Sequence, residues 1–137
     1  MPLVGDFNFY GGIYRDVHLL LTDNLCISPL DYASSGVYLI QQQVTDKQAT
    51  ICARVNLSNG TGELRKVVLR LQVNDGKKTV YETEKEVSMI PHTDVQVEDI
   101  GFILKNPRLW NGMQDPFMYQ AVLTLIKDGK ELDKKDL

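Results

Sequence analysis

Apolar and polar side chains alternate along most of the chain with a period of two, which places successive residues on opposite faces of a β-strand. The clearest run is LRKVVLRLQV (64–73), in which every second residue from Val67 to Val73 is apolar and falls on one face. Seven more segments show β-type patterning: IYRDVHLLL (13–21), VYLIQQQV (37–44), ATICARVNL (49–57), KTVYETEKEV (78–87), DVQVEDIGFIL (94–104), FMYQAVLTLI (117–126) and KELDKKD (130–136). No segment carries a sustained helical period with caps.

Turn-forming residues separate these runs. Asn59-Gly60, Asn74-Asp75-Gly76 and Asp128-Gly129 stand where one strand must reverse into the next. Short strands at regular spacing, with turn signals between them, are typical of antiparallel all-β folds. We therefore predict an all-β, antiparallel β-sandwich or barrel, with about seven to nine strands from residue 25 onward.

One turn-like segment differs from the others. NPRLWNGMQDPFMYQAVLTL (106–125) holds the only tryptophan, two prolines and a glycine before an alternating run. Proline restricts the residue before it to extended or turn geometry, so Asn106-Pro107 and Asp115-Pro116 stiffen this corner. We predict that the corner directs Trp110 into the end of the core and begins the strand 117–126.

Composition narrows the function classes. The 137 residues are 43% hydrophobic and 24% charged, which is typical of one globular domain. A formal net charge of −3 argues against nucleic acid as a partner. No apolar run approaches the roughly 20 residues that a membrane-spanning helix needs, and the first residues lack a signal-peptide pattern. Cys26 and Cys52 follow no metal or redox spacing, so packed, free thiols are favoured over a disulfide.

Two motifs resemble glycoside hydrolase family 2, the group of β-galactosidases, β-glucuronidases and β-mannosidases. The corner reads P-x-L-W-x5-P-x-x-Y from Pro107 to Tyr119, and resembles the end of that family's immunoglobulin-like sandwich. The segment DFNFYGGIYRDV (6–17) resembles the junction at which the family's sugar-binding jelly roll enters the sandwich. The resemblance spans nearly the whole chain.

The resemblance implies a division of the chain. Residues 1–24 correspond to the last strand of the jelly-roll domain, and residues 25–137 to an immunoglobulin-like antiparallel β-sandwich. In the family a (β/α)8 barrel follows and carries the acid/base and nucleophile glutamates, and no barrel strand is present here. We therefore expect a non-catalytic piece of a retaining β-glycosidase, most similar to a β-galactosidase. Its partners would be the neighbouring jelly-roll and barrel domains and, through the parent enzyme, carbohydrate.

One residue is implicated in substrate binding by the resemblance. Asp6 stands where the family places an aspartate that reaches into the active site and helps to hold the terminal sugar. A carboxylate accepts hydrogen bonds from sugar hydroxyls and also binds hard cations. The parent enzyme could therefore bind a hard cation near Asp6. For this chain alone we expect no cofactor. Arg15, Trp110 and Tyr119 match the family pattern as structural residues.

The chain itself offers no other site. Glu82, Glu84 and Glu86 share a strand face that reads as solvent-exposed, and His18 and His92 lie in no nucleophile or metal pattern. Asn56 and Asn59 begin glycosylation sequons, which matter only in a eukaryotic secretory setting. The alternative function is a free-standing carbohydrate-binding or adhesion sandwich, which would require exposed aromatic side chains. The compartment stays open, with bacterial periplasm or cytoplasm favoured.

Overall fold

The computed structural model describes residues 11–13 and 15–137, and its eight strands pair only in antiparallel fashion. This confirms the predicted all-β sandwich and the predicted number of strands. The strands are β1 (Leu25–Ile27), β2 (Val37–Val44), β3 (Gln48–Asn59), β4 (Arg65–Asp75), β5 (Lys78–Met89), β6 (Thr93–Lys105), β7 (Gln120–Lys127) and β8 (Lys130–Asp136). The described residues contain no helix, and so none able to cross a membrane.

The first sheet is built around β3. One edge of β3 pairs with β6 along nearly its whole length, from Gln48 opposite Lys105 to Asn59 opposite Thr93. The other edge is shared, because β2 pairs with residues 49–55 and the short β1 pairs with residues 57–59. A single long strand therefore holds three neighbours in register.

The second sheet has the strand order β5-β4-β7-β8. Both of its hairpins turn where the sequence predicted them. Asp128 and Gly129, between β7 and β8, both have positive φ, at 51° and 76°, as a two-residue hairpin turn requires. At the turn between β4 and β5, Gly76 has a φ of 57°. The turn chemistry therefore fixes the register of both hairpins.

The core lies between the inward faces of the two sheets. The predicted face of β4 is buried throughout, and Leu69 and Leu71 stand in register with Leu125 and Leu123 of β7. On the opposite sheet β3 contributes the buried side chains of Ala53, Val55 and Leu57. Completely buried leucine side chains typically contribute about 1.5–3 kcal/mol each, so this layer supplies most of the driving force for folding.

Two polar contacts join the sheets along their sides. Lys85 of β5 donates to Glu98 of β6 at 2.8 Å, and Gln96 also donates to Glu98 at 2.9 Å. Partial burial opposes ionisation of Glu98, but these two donors outweigh it, so the pKa of Glu98 is lowered. On the other side, the Asp133 carboxylate of β8 accepts the backbone N–H of Ile27 in β1 at 2.9 Å.

Three local predictions were wrong. The described residues of 13–21 form no strand and are exposed. Strand β7 begins at Gln120, not at Phe117. Trp110 is outside the core, as described below. The assignment of 1–24 to another domain stays a prediction, although the first strand within the described residues does begin at Leu25.

Candidate functional site

The corner between β6 and β7 is organised by Arg108. Its guanidinium forms a two-pronged ion pair with Asp115, with nitrogen–oxygen distances of 3.0 and 2.6 Å. The same group lies 4.2 Å from the ring centre of Phe117, within cation–π range. Phe117 in turn meets Tyr119 edge to face, with ring centres 4.9 Å apart. The backbone N–H of Arg108 donates to the Tyr119 hydroxyl at 2.8 Å, which ties the start of the corner to its end.

A tight turn lies inside this corner. Asn111 and Asp115 form a small antiparallel bridge, and Gly112 has a φ of 53° within it. The ion pair with Arg108 holds the pKa of Asp115 below its usual range, so Asp115 is ionised at neutral pH. A rigid corner was predicted here from the two prolines, and the contacts of Arg108 hold the corner in place.

Trp110 projects from this corner toward solvent, with 66% of its surface exposed. The expectation that it would close the core was therefore wrong. The residues that do close that end of the core are Phe102 and Leu104 of β6 and Pro107, which are all buried. The aromatic side chains that do pack at the corner are Phe117 and Tyr119, which sequence position alone did not distinguish from Trp110.

Trp110 stands at the rim of an apolar cleft of about 570 Å³. The cleft opens between the edge strand β2 and the corner 106–119, and its floor is the end of the sandwich core. The lining side chains are mostly aliphatic or aromatic, and no aspartate or glutamate is among them: Leu39, Gln41, Val44, Ala49, Ile51, Val73, Phe102, Leu104, Pro107, Arg108, Leu109, Trp110, Phe117, Met118, Tyr119 and Ala121. Its volume is within the range of about 300–1,000 Å³ that is usual for binding pockets.

The opposite end of the sandwich is organised by Asn59. Its side chain is 1% exposed and forms four hydrogen bonds, donating to the carbonyls of Glu63 and Met89 and accepting from the backbone and hydroxyl of Thr61. Asn56 is also buried. Neither sequon asparagine is therefore accessible for glycosylation in the folded chain.

A second, shallower concavity lies on the outer face of the first sheet, where Tyr38, Ile40 and Val97 are among its lining residues. Beside it, Arg54 pairs with Asp99 at 3.0 and 3.1 Å and lowers the pKa of that carboxyl. Tyr38 donates to Asp31 and lies 2.7 Å from the Ser34 hydroxyl. These polar side chains therefore bond to one another on the surface of the sandwich.

The remaining candidates are not brought together. Asp6 lies outside the described residues. Arg15 is in the exposed segment before β1, so its structural role stays a prediction. Glu82, Glu84 and Glu86 are on the solvent face of β5, as predicted, where Glu84 pairs with Arg70 at 2.7 Å. Within the described part of the chain, no group of histidine, cysteine or acidic residues could hold a metal ion.

Both cysteines are free thiols, as favoured from the sequence. Burial raises the pKa of Cys26, which keeps its sulfur protonated and unreactive at neutral pH.

The cleft was missed by sequence reasoning, because the sequence pattern that could have indicated it was weak. The exposed apolar residues of the corner, Leu109, Trp110, Met113 and Met118, lie close together in the sequence, but the alternation rule does not apply outside strands.

With this geometry established, comparison with known proteins defines the class. The family model for glycosyl hydrolases family 2 matches residues 36–137, so the chain belongs to that family. It is an antiparallel β-sandwich domain of the kind found in these glycosidases, and the resemblance inferred from the two sequence motifs is confirmed.

Three individual relatives illustrate the similarity. The chain is 55% identical over 137 residues to a β-glucuronidase of Bacteroides fragilis, covering 97% of this chain and 19% of the relative. A provisionally assigned β-galactosidase from Bacteroides fragilis superimposes with a TM-score of 0.80 at 32% identity, over 85% of this chain and 17% of that structure. A Bacteroides uniformis β-glucuronidase superimposes with a TM-score of 0.86 at 25% identity, over 98% of this chain and 16% of that structure. The chain thus spans about a fifth or less of the length of these relatives.

Proposed function

We propose that this chain is the non-catalytic β-sandwich domain of a longer retaining β-glycosidase. The observation that carries the proposal is the family match over residues 36–137 combined with a cleft that is lined by no carboxylate. Retaining glycosidases need two carboxyl groups about 5–5.5 Å apart across the scissile bond. The catalytic pair would therefore belong to another part of the parent enzyme, and this domain would hold neighbouring domains in place.

We further propose that the parent enzyme acts on β-glucuronides, with β-galactosides as the second candidate. The relative at 55% identity is named a β-glucuronidase, whereas the structure described as a β-galactosidase is 32% identical. The test is to express the coding sequence extended on both sides of this chain, and to assay it with 4-nitrophenyl β-D-glucuronide and 4-nitrophenyl β-D-galactoside. Hydrolysis of neither substrate would contradict the proposal, as would hydrolysis by the 137-residue chain alone.

Within the parent enzyme, Asp6 is proposed to contact the terminal sugar. Losing a charge-assisted hydrogen bond costs about 1.5–3 kcal/mol, so Asp6→Ala should lower kcat/KM by roughly ten- to more than a hundredfold. Asp46→Ala, at an exposed position in the β2–β3 turn, is the matched control and should leave kcat/KM unchanged. A hard cation bound beside Asp6 would make the parent sensitive to chelators, and Asp6→Ala would remove that sensitivity. Full activity of Asp6→Ala would show that the family role does not transfer to this residue.

The exposure of Trp110 favours one alternative, a carbohydrate-binding surface on the sandwich itself. An indole face available to solvent is the feature that a sugar platform requires, and the sequence alone did not predict it. Affinity electrophoresis or retention on immobilised polysaccharide tests this function for the 137-residue chain. Retention that is lost in Trp110→Ala would support the alternative over the domain-positioning role.

A further inference from the structure

We propose that the cleft and the projecting Trp110 form a docking surface for the part of the parent polypeptide that is joined to Leu137. This inference rests on the proposed function, because its occupant is a neighbouring domain of the longer enzyme. We call this surface the Trp110 face, and define it by the cleft lining together with the exposed side chains of Leu109, Trp110 and Met118.

The position of Leu137 identifies the occupant. Its backbone exchanges two hydrogen bonds with Ala121, at 3.0 and 2.8 Å, immediately after β8. Ala121 lines the cleft and stands two residues after Tyr119 of the corner. Any residue joined to Leu137 therefore leaves the sandwich beside the Trp110 face. The matched relatives are at least five times longer than this chain, which leaves ample polypeptide to cover it.

The chemistry of the Trp110 face suits a protein segment better than a sugar. Among the cleft's lining residues only Gln41, Arg108, Trp110 and Tyr119 carry polar side-chain groups, and Trp110 contributes a single indole N–H donor. Arg108 is committed to Asp115, and the Tyr119 hydroxyl accepts the Arg108 backbone N–H. A sugar would bury hydroxyls against an apolar wall with few remaining partners, which is unfavourable. Apolar side chains of a protein segment bring no hydroxyls that need partners there, and they would cover Trp110 and Met118, which are 66% and 76% exposed.

The surface is also held rigid before any contact is made. The ion pair of Arg108, its stacking on Phe117 and the hydroxyl of Tyr119 fix the corner from both ends. Rigid apolar anchors lose little conformational entropy on docking, which is why large aromatic side chains dominate interfaces. The corner therefore presents Trp110 as an anchor and the cleft as the pocket beside it.

Hydroxyl-radical footprinting read by mass spectrometry tests the proposal. The same residues are compared in the 137-residue chain and in the parent enzyme, with each rate normalised to that of the urea-denatured protein. We expect oxidation of Trp110 and Met118 to fall several-fold in the parent, toward the rate of the buried Met89. Equal rates in the two proteins would overturn the proposal.

Two other results would also overturn it. Protection of Trp110 that appears in the 137-residue chain and grows with its concentration would mean that a second copy is the occupant. Protection of the 137-residue chain by added glucuronic acid or galactose would mean that the face binds sugar. Because footprinting needs no catalytic activity, these outcomes are independent of whether the parent hydrolyses a β-glycoside.

A pair of variants supplies a second readout. Trp110→Asp should lower the melting temperature of the parent enzyme while leaving that of the 137-residue chain nearly unchanged. Tyr32→Asp is the control, since Tyr32 is fully exposed in the loop 28–36 and is not part of the cleft. An equal shift in parent and chain for Trp110→Asp would assign Trp110 to the sandwich alone.

Discussion

Two connections cross from the first sheet to the second, one at each end of β3, and both contain an Asn-Gly pair. The β3–β4 connection begins at Asn59-Gly60, and the β6–β7 connection contains Asn111-Gly112. In the first, the asparagine is buried and all its polar groups are bonded inside the protein. In the second, the asparagine is exposed and the neighbouring tryptophan faces solvent. The same dipeptide is thus part of a buried, fully hydrogen-bonded connection at one end of the sandwich and of an exposed connection at the other end.

The largest expected effect is at the closed end. Asn59→Ala should lower the free energy of unfolding by about 2–3 kcal/mol, because buried carbonyls and an N–H group lose their partner. Urea denaturation of the 137-residue chain measures this. The matched control is Asn111→Ala, for which we expect a change within about 0.5 kcal/mol. Similar losses from the two variants would mean that the two ends do not differ in the way the burial of Asn59 indicates.

A smaller effect is expected where the open end is fastened. Tyr119→Phe keeps the ring against Phe117 but removes the acceptor for the Arg108 backbone N–H, and should cost about 0.5–1.5 kcal/mol. Tyr32→Phe, in an exposed loop, should cost nothing measurable. A wild-type stability for Tyr119→Phe would show that the hydrogen bond from the Arg108 N–H to the Tyr119 hydroxyl does not stabilise the corner.

Trp110 itself should matter less to the folding of this chain. Because most of its surface is already in solvent, Trp110→Ala should lower the free energy of unfolding by less than about 1 kcal/mol, compared with about 3–5 kcal/mol for a buried aromatic residue. Unfolding must be followed by circular dichroism, since the variant has no tryptophan. A loss above about 3 kcal/mol would place Trp110 in the core in solution.

The smallest effect is the pH dependence of the corner. The pKa of Asp115 is lowered from its ordinary 3.8 by the hydrogen bond from Arg108, so the folded state binds fewer protons than the unfolded state. Its stabilisation is complete above pH 3.8 and is lost as the pH falls through the lower, folded pKa. Melting temperatures of wild type and Asp115→Asn should therefore converge as the pH is reduced below 3.8. A gap that widens on acidification would contradict this sign.

The sequence was sufficient to predict the two layers of the sandwich. It was insufficient to assign the buried face of a strand that has apolar residues on both faces. In β4 one face is apolar throughout, so Leu69 and Leu71 could be assigned to the core directly. Strand β6 carries two conflicting apolar sets of equal size. One face has Val95, Val97 and Ile103, and the other has Ile100, Phe102 and Leu104. The period of two admits only one set to the core. The set with Phe102 and Leu104 is buried, the set with the two valines faces outward, and Glu98 turns inward to meet Lys85.

The corner shows the other limit of sequence reasoning. Prolines and glycines correctly indicated a rigid turn, since they restrict the backbone locally. Whether Trp110, Phe117 or Tyr119 packs inward depends on where the core ends, and that is set by Phe102 and Leu104 on a different strand. No local pattern around Trp110 contains this information. The cleft has the same origin, because its walls come from β2, β3, β4, β6, β7 and the corner together.

The borders of the two sheets differ in their capacity to accept another strand. Exposed edges tend to recruit further strands and aggregate unless charges deter them. Edge strands β5 and β8 are rich in charge, with sequences KTVYETEKEVSM and KELDKKD, and β6 carries Asp94, Glu98, Asp99 and Lys105. Strand β2, VYLIQQQV, has no charged residue. Sheet extension, whether in assembly or in misfolding, should therefore start at β2, and a lysine at Gln42 would be the simplest way to suppress it.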